Sequence, residues 1–427
     1  MLDVTLIRQH PERVRAGLRK RGLDVDLDDF LALDTRLREA RTALERLRGE
    51  RRRVSADIAA RRRAGEPVDG PLALAADLAD AVTEATAAHT RLEAEHREFL
   101  DALPNLPDPD VPAGGKEHNE VVRTTGARPE FGFEPRDHVR LTQDLGLVDH
   151  RRGAALAGSG HWVYRGDGAA LEWALLNHFL DTHRRAGYTF VLPPHLLGWQ
   201  AGYTAGQFPK FADDVFVTDR AADGRPERFL LPTAETALAA LHQGETLDEH
   251  ELPLKYVAYT PCYRKEAGGY RTAERGTLRG HQFNKVELFQ LTRPADSDAA
   301  QLELLARAEE LVAGLGLHHR VTRLAAGDTS PAQAKTYDVE VWLPSLAAYA
   351  EVSSVSNARD YQARRGGIRY RPAGGGRAAH VHTLNASGLA TSRLVPALLE
   401  QHQRPDGTVA VPEVLRRWGL PEVLRRP

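Results

Sequence analysis

Cysteine is nearly absent from this 427-residue chain, Cys262 being the only one. A single thiol excludes disulfide frameworks, cysteine-rich zinc sites and dithiol chemistry together, and it fits a reducing compartment. Charge of one sign is lacking too. The 57 basic and 59 acidic residues leave a net charge of −2, so a nucleic-acid partner can show itself only as a local patch. No apolar run approaches the roughly 18 residues of a membrane span. The stretch from Met1 to Arg21 alternates charged with apolar residues and lacks the apolar segment of a signal peptide. The expectation is a cytoplasmic protein with no membrane partner. The phosphate-loop pattern GxxxxGK[ST], the dinucleotide pattern GxGxxG and the metalloprotease pattern HExxH are also missing.

What is present suffices for a sizeable core. Hydrophobic residues make up 42% and charged residues 27%, which excludes wholesale disorder, and the length suits two domains. The first hundred residues differ in texture from the rest. From Phe30 the apolar positions follow a heptad, with Phe30, Leu37, Leu44 and Ile58 on one seam and Leu33, Ala40, Leu47 and Val54 on the other. A 3.5-residue repeat is the mark of a coiled coil. Gly65, Pro67, Gly70 and Pro71 break it, and a second heptad runs through Leu78, Ala85, Leu92 and Phe99. The spacing predicts an antiparallel helical hairpin with arms of about 30–35 residues. Its first arm carries Arg51, Arg52, Arg53, Arg61, Arg62 and Arg63 near the tip, whereas acids dominate the second. Two readings stay open here: a solvated coil whose charges pair across the helices, or a lever that grips a phosphate backbone.

After the proline-rich stretch from Pro104 to Pro112 the pattern becomes globular. A helix is predicted over 171–185, a buried strand over 188–192, and strands over 256–263 and 285–291. A further helix is predicted over 299–315, strands over 338–343 and 348–353, and a helix over 388–401 entered from the turn Asn385-Ala-Ser387. Strands outnumber parallel-type crossovers, so a mainly antiparallel sheet flanked by helices, an α+β fold, is expected. Cys262 reads as a small core residue.

The stretch Tyr259-Thr-Pro-Cys-Tyr-Arg-Lys-Glu266 leads into a glycine- and arginine-rich loop and returns as Arg279-Gly-His-Gln-Phe-Asn-Lys-Val-Glu-Leu288. An arginine at a strand end, a loop, and a return strand carrying a carboxylate can build a nucleotide site without a phosphate loop. Glu287 is out of place in an otherwise apolar strand unless it has such work.

These residues resemble the seryl-tRNA synthetases, a subgroup of the class II aminoacyl-tRNA synthetases. The resemblance extends along the whole chain through Arg19-Lys-Arg-Gly-Leu-Asp24, Leu103-Pro-Asn-Leu-Pro107, Leu231-Pro-Thr-Ala-Glu235, Ala334-Lys-Thr-Tyr-Asp338, Glu351-Val-Ser-Ser354 and His382-Thr-Leu-Asn-Ala-Ser-Gly-Leu389. It implies a tRNA-binding domain over 1–105 with the hairpin arm, and a class II catalytic domain over 106–427 on six or seven antiparallel strands. It implies a homodimer joined near Pro193-Pro194. The implied activity is serine–tRNA ligation. ATP and L-serine would form seryl-adenylate with Mg²⁺, with no zinc, and the seryl group would pass to serine tRNA. The resemblance leaves open a selenocysteine tRNA as another acceptor.

By the same resemblance Arg264 would hold the α-phosphate and the serine carboxylate, with Lys265 and Glu266 near the nucleotide and Phe283 stacked on adenine. Glu351, Val352, Ser353 and Ser354 would line the ATP site, Glu351 and Ser354 holding Mg²⁺, and Arg393 would clamp the γ-phosphate. Thr233, Ala234 and Glu235 would take the serine amino end, while Glu287 and Ser387 would read its hydroxyl. The six arm arginines would bind tRNA. Physics agrees with the cationic choices: carboxylate attack on a phosphate brings anions together, and arginine supplies fixed, permanently charged donors.

The chain departs from the family pattern at 204–211, 267–276 and 327–332, without removing a catalytic group. Those departures leave room for a specialised paralogue serving biosynthesis or inhibitor resistance. A non-catalytic tRNA-binding paralogue is the remaining alternative.

Overall fold

The computed structural model describes residues 1–266 and 275–426. Contacts divide the chain into two compact units. One comprises Leu2–Leu18 and Leu23–Pro104; the other comprises Met1, Arg19–Gly22 and the chain from Asn105 onward.

In the smaller unit two helices, α1 (Leu27–Ala64) and α2 (Asp69–Ala102), form the hairpin and run 38 and 34 residues. The Asp26 side chain accepts from the Asp28 N–H, and Asp28 and Asp29 complement the helix dipole in the first turn of α1. The helix stops at Gly65, whose φ of 70° a residue with a Cβ seldom adopts. Gly70 and Pro71, expected in the turn, instead lie in the first turn of α2, where a missing N–H costs nothing. The heptad seams do point inward: Phe30, Leu33, Leu44, Ile58, Leu78 and Val82 are buried. Phe30 stacks against His96 and Phe99 at centroid distances of 4.8 and 5.0 Å. Beside this cluster the buried Asp34 carboxylate accepts from Arg8 Nε at 2.7 Å and Arg8 Nη2 at 2.6 Å, with His96 Nε2 at 3.2 Å. Arg51, Arg52, Arg53, Arg62 and Arg63 are exposed, and Arg61 pairs with Asp57 at 2.9 Å.

In the larger unit the described residues form an eight-stranded sheet. Its strands are β1 (Glu120–Thr125), β2 (Thr189–Val191), β3 (Leu254–Tyr263), β4 (Gln282–Thr292), β5 (His319–Arg323), β6 (Lys335–Leu343), β7 (Ala348–Arg359) and β8 (His382–Ala390). The spatial order is β1-β5-β6-β7-β8-β4-β3-β2, and every pairing is antiparallel except β2 with β3. This is the expected α+β class with more strands than the predicted six or seven. The additional strands are edges, and an edge strand need not bury an apolar face: all six residues of β1 are exposed. For the same reason the predicted buried strand at 188–192 shrinks to the exposed edge β2, with only Tyr188 buried and Leu192 70% exposed.

Helices α3 (Asp167–Arg185), α4 (Ala234–Ala239), α5 (Ser297–Gly314) and α6 (Thr391–Gln401) cover the sheet. Leu171 and Leu175 of α3, Leu304 and Leu311 of α5, and Leu394 and Leu398 of α6 pack with Val286, Leu288, Leu384 and Ala386 in the main core. A second cluster joins Ala234 and Leu238 of α4 to Ala258, Phe289 and Leu291. Alternate residues of one strand thus face different layers. The helix predicted over 388–401 is corrected by this alternation. Asn385 to Ala390 continue β8, with Leu384 and Ala386 in the main core, and the helix opens only at Thr391.

Candidate active site

The alternation that builds the core also builds the site. Along β4, Val286 and Leu288 enter the main core, so Lys285 and Glu287 are carried to the opposite face with Phe289 and Leu291. Glu287 lies directly across the ladder from Ser387 on β8. The loop before α4 brings Thr233 to the same place, where its side chain caps that helix by accepting from the Glu235 N–H at 3.2 Å.

Confluent cavities of about 230, 490 and 600 Å³ open over this face. The smallest is lined by Thr233, Glu235, Arg264, Glu266, Phe283, Glu351, Val352, Ser354, Ser387 and Arg393, drawn from five separate stretches of chain. Four other predicted residues do not line that cavity. Ala234 is buried in α4, Glu287 is wholly buried, Ser353 donates its hydroxyl to the Ser387 carbonyl at 2.6 Å, and Lys265 donates its backbone N–H to Asp214 O at 3.0 Å. Of the loop departure at 267–276, residues 267–274 fall outside the described residues.

At the end of the cleft formed by β4, β8 and the start of α4 the polar groups interlock. Lys285 Nζ pairs with Glu287 and donates to Thr233 Oγ1 at 2.7 Å, while Thr233 Oγ1 donates to Glu287 Oε2 at 3.2 Å. Asn385 Nδ2 lies 3.2 Å from Glu287 Oε1 and 3.3 Å from Glu235 Oε2. Gln362 and Gln333 donate to Glu235 Oε1 at 2.9 and 3.2 Å. Burial, and Glu287 beside it, push the Glu235 carboxyl up to about 7, while Lys285 and the amides pull the other way. Arg264 stands over the Phe283 ring at 5.2 Å and donates Nε to Pro232 O at 3.2 Å.

At the other end Arg393, in the first turn of α6, donates Nη1 to the Glu351 main-chain oxygen at 3.2 Å and to its carboxylate at 3.1 Å. Cross-strand register sets Asp338 beside Ser354 and Glu340 beside Glu351. Burial, reinforced by Glu351, raises the Asp338 carboxyl well above its ordinary range, and its Oδ1 is buried without a hydrogen-bond partner. These hard oxygen donors fit a cation such as Mg²⁺. Among the described residues no three acidic, histidine or cysteine side chains form a closed metal cage.

Lys285, Asn385, Gln333 and Arg279 also line the cleft, and the sequence reading did not single them out. Lys285 and Asn385 were findable, each two residues before a predicted site residue on the same strand face. Gln333 and Gln362 carry no local signal.

Comparison with known proteins matches the geometry. Residues 217–402 fit the family model of the tRNA synthetase class II core domain (G, H, P, S and T). With the sheet and cleft, this defines a class II aminoacyl-tRNA synthetase. Residues 1–107 fit the seryl-tRNA synthetase N-terminal domain. The chain belongs to the seryl-tRNA synthetase family. It is 52% identical over 419 residues to "Serine--tRNA ligase 2" of Clostridium acetobutylicum, covering 98% of this chain and 99% of that protein. It is 42% identical over 420 residues to the serine–tRNA ligase of Nitratidesulfovibrio vulgaris strain Miyazaki F, covering 98% of each. The crystal structure of Pyrococcus horikoshii seryl-tRNA synthetase complexed with ATP matches with a TM-score of 0.90 at 35% identity over 100% of both chains.

Proposed function

We infer that the chain is a serine–tRNA ligase, activating L-serine with ATP and passing the seryl group to the 3′ end of serine tRNA. The observation that carries this reading is the single cleft that holds Arg264, Glu235 and Ser387 at one end and Glu351, Ser354 and Arg393 at the other. In the first half-reaction a serine carboxylate oxygen bonds to the α-phosphorus while the α–β bridging bond breaks and pyrophosphate leaves. Arg264 would neutralise the incoming carboxylate and the α-phosphate, and Arg393 would hold the departing charge. Phe283 offers an apolar face to adenine. Mg²⁺ held by Glu351 and Ser354 would supply further charge neutralisation. In the second half-reaction the terminal ribose hydroxyl of the tRNA takes the acyl group and AMP leaves.

Glu287 and Ser387 would read the substrate hydroxyl. Polar groups built to bind a hydroxyl reject the analogue lacking it by roughly 10⁴–10⁵-fold, because they are left unpaired. On the arm, the exposed arginines of α1 supply a basic stripe suited to a tRNA backbone. The proposed dimer would use the edge of β2, around which Trp173, Phe190, Leu192 and Leu196 are exposed. No described helix is long and apolar enough to cross a membrane, and the protein is proposed to act in the cytoplasm.

Serine-dependent pyrophosphate exchange measured beside tRNA charging tests the reading. No exchange with serine overturns it; exchange without charging points to another acceptor. A second reading, a specialised paralogue, draws on the 52% identity to the serine–tRNA ligase 2 of C. acetobutylicum, against 42% for the N. vulgaris ligase. Counting synthetase copies in the source genome decides between them.

A further inference from the structure

Among the described residues, Lys285 is the one at the serine end whose charge has no place in the roles assigned so far. Its side chain is only 8% exposed, yet it reaches the cleft wall. It pairs with Glu287, whose side chain is fully buried, and donates to Thr233 Oγ1 at 2.7 Å. The second carboxylate, Glu235, is close enough to share one amide nitrogen of Asn385 with Glu287, at 3.3 and 3.2 Å. Two buried carboxylates this near each other cannot both carry full charge without a cation between them.

We propose that Lys285 is a specificity-determining residue, a built-in counter-charge that sets the serine end to accept a substrate bearing a single ammonium group. This inference rests on the serine-activating reading and deepens it. With both carboxyls ionised, Glu235, Glu287 and Lys285 leave a net charge of −1 around the polar pocket. One ammonium balances that charge, and Arg264, which lines the same cleft, takes the substrate carboxylate. Lys285 is one of the groups that pull the Glu235 carboxyl back down against burial and Glu287, so without it that carboxyl moves further up from about 7 and the pocket loses the anion that holds the ammonium. The groups facing the pair from the surrounding elements are Lys285 on β4, Arg264 at the end of β3, the amides of Asn385, Gln333 and Gln362, and the thiol of Cys262, which burial pushes up. None of these others supplies a cation in direct contact with Glu287 in its place.

The experiment compares wild type, Lys285→Met and Lys285→Arg in serine-dependent pyrophosphate exchange from pH 6 to 9, with KM for serine and for ATP determined separately. In Lys285→Met the acid limb of the serine kcat/KM profile is expected to move up by about one pH unit or more. The serine KM near pH 6.5 then rises roughly tenfold and recovers toward pH 9, while the ATP KM stays within about twofold. Lys285→Arg, which keeps the charge, restores the wild-type profile. Thermal unfolding verifies that each variant is folded. An unshifted serine profile in a folded Lys285→Met overturns the inference, as does a fall in kcat that is uniform across pH. Wild type lacking serine-dependent exchange overturns the functional reading instead, so the two failures are distinguishable.

Discussion

The hydroxyl of Thr391 donates to the carboxylate of Glu172 at 2.6 Å across 219 residues of sequence. Asn284 Nδ2 donates to the same oxygen at 2.8 Å. Thr391 opens α6, two residues before Arg393, and Asn284 stands between Phe283 and Lys285. One buried carboxyl on α3 therefore ties together the strand and the helix that carry the two ends of the cleft.

Burial pushes the Glu172 carboxyl from an ordinary value of 4.5 up to about 7. Between these values the folded protein holds a proton that the unfolded chain has released, so this group costs stability as pH rises through that window. Glu172→Gln keeps an acceptor for Thr391 and Asn284 and does not titrate. The Tm of the variant minus that of wild type should therefore increase from about pH 4.5 to 7 and level off above. Thermal melts at pH 5 and pH 8 check this, and an equal difference at both pH values would refute it.

Glu287 is wholly buried and is held by Lys285, Thr233 and Asn385. Glu287→Ala leaves those donors unpaired and any substrate hydroxyl unread. Serine kcat/KM is expected to fall by at least about 10²-fold while ATP binding changes little. Steady-state exchange with each substrate varied in turn measures both, and serine kinetics equal to wild type would remove Glu287 from the site.

Arg393 reaches the cleft from the first turn of α6 and contacts only Glu351 among the hydrogen bonds described for its side chain. Arg393→Ala should leave serine binding nearly intact and slow adenylate formation by on the order of 10²–10³-fold, the usual cost of one lost transition-state donor. Single-turnover formation of adenylate reads this directly. Normal rates would make Arg393 a structural partner of Glu351.

The arm offers a test that separates binding from chemistry. Asp34 and His96 belong to the buried cluster that also holds Arg8, so a truncation must spare them. Replacing residues 41–92 by a short turn should leave pyrophosphate exchange unchanged and weaken tRNA binding, with a shallower dependence on salt. Replacing Arg51–Arg53 and Arg61–Arg63 by glutamine should do part of the same without melting the helix, since the two residues have similar helix propensity. Filter binding across a salt series measures it; unchanged affinity in both proteins would reduce the arm to a spacer.

The hairpin was legible in advance because a coiled coil is specified locally: each seam residue recurs every 3.5 positions and meets its partner across one turn. Glu287 was legible only as a carboxylate out of place in an otherwise apolar strand; that it faces away from the main core follows from the alternation of β4 in the folded sheet. Three readings failed where the decision was not local. The edge β2 contains Phe190 and looks buried, but nothing in the described unit covers it, leaving Phe190 38% exposed. Asn385 to Ala390 resemble a helix entrance, yet pairing with β4 and β7 holds Asn385 to Ser387 in strand. Gly70 and Pro71 look like turn residues, but the first turn of a helix tolerates both.

By itself the sequence determined the helical arm and the α+β class, and its resemblance to the seryl-tRNA synthetases nominated the groups expected to handle a nucleotide and a small amino acid. Periodicity and residue chemistry are properties of short stretches, so they survive without coordinates. Only the tertiary structure decided which charges meet. That Lys285 compensates Glu287 and Glu235, that Glu172 fastens Thr391 to Asn284, and that Gln333 and Gln362 satisfy Glu235 are outcomes of strand register and of helices packing from opposite faces. Burial then sets their energetics, because a carboxylate removed from water takes its protonation from whichever neighbours the fold supplies.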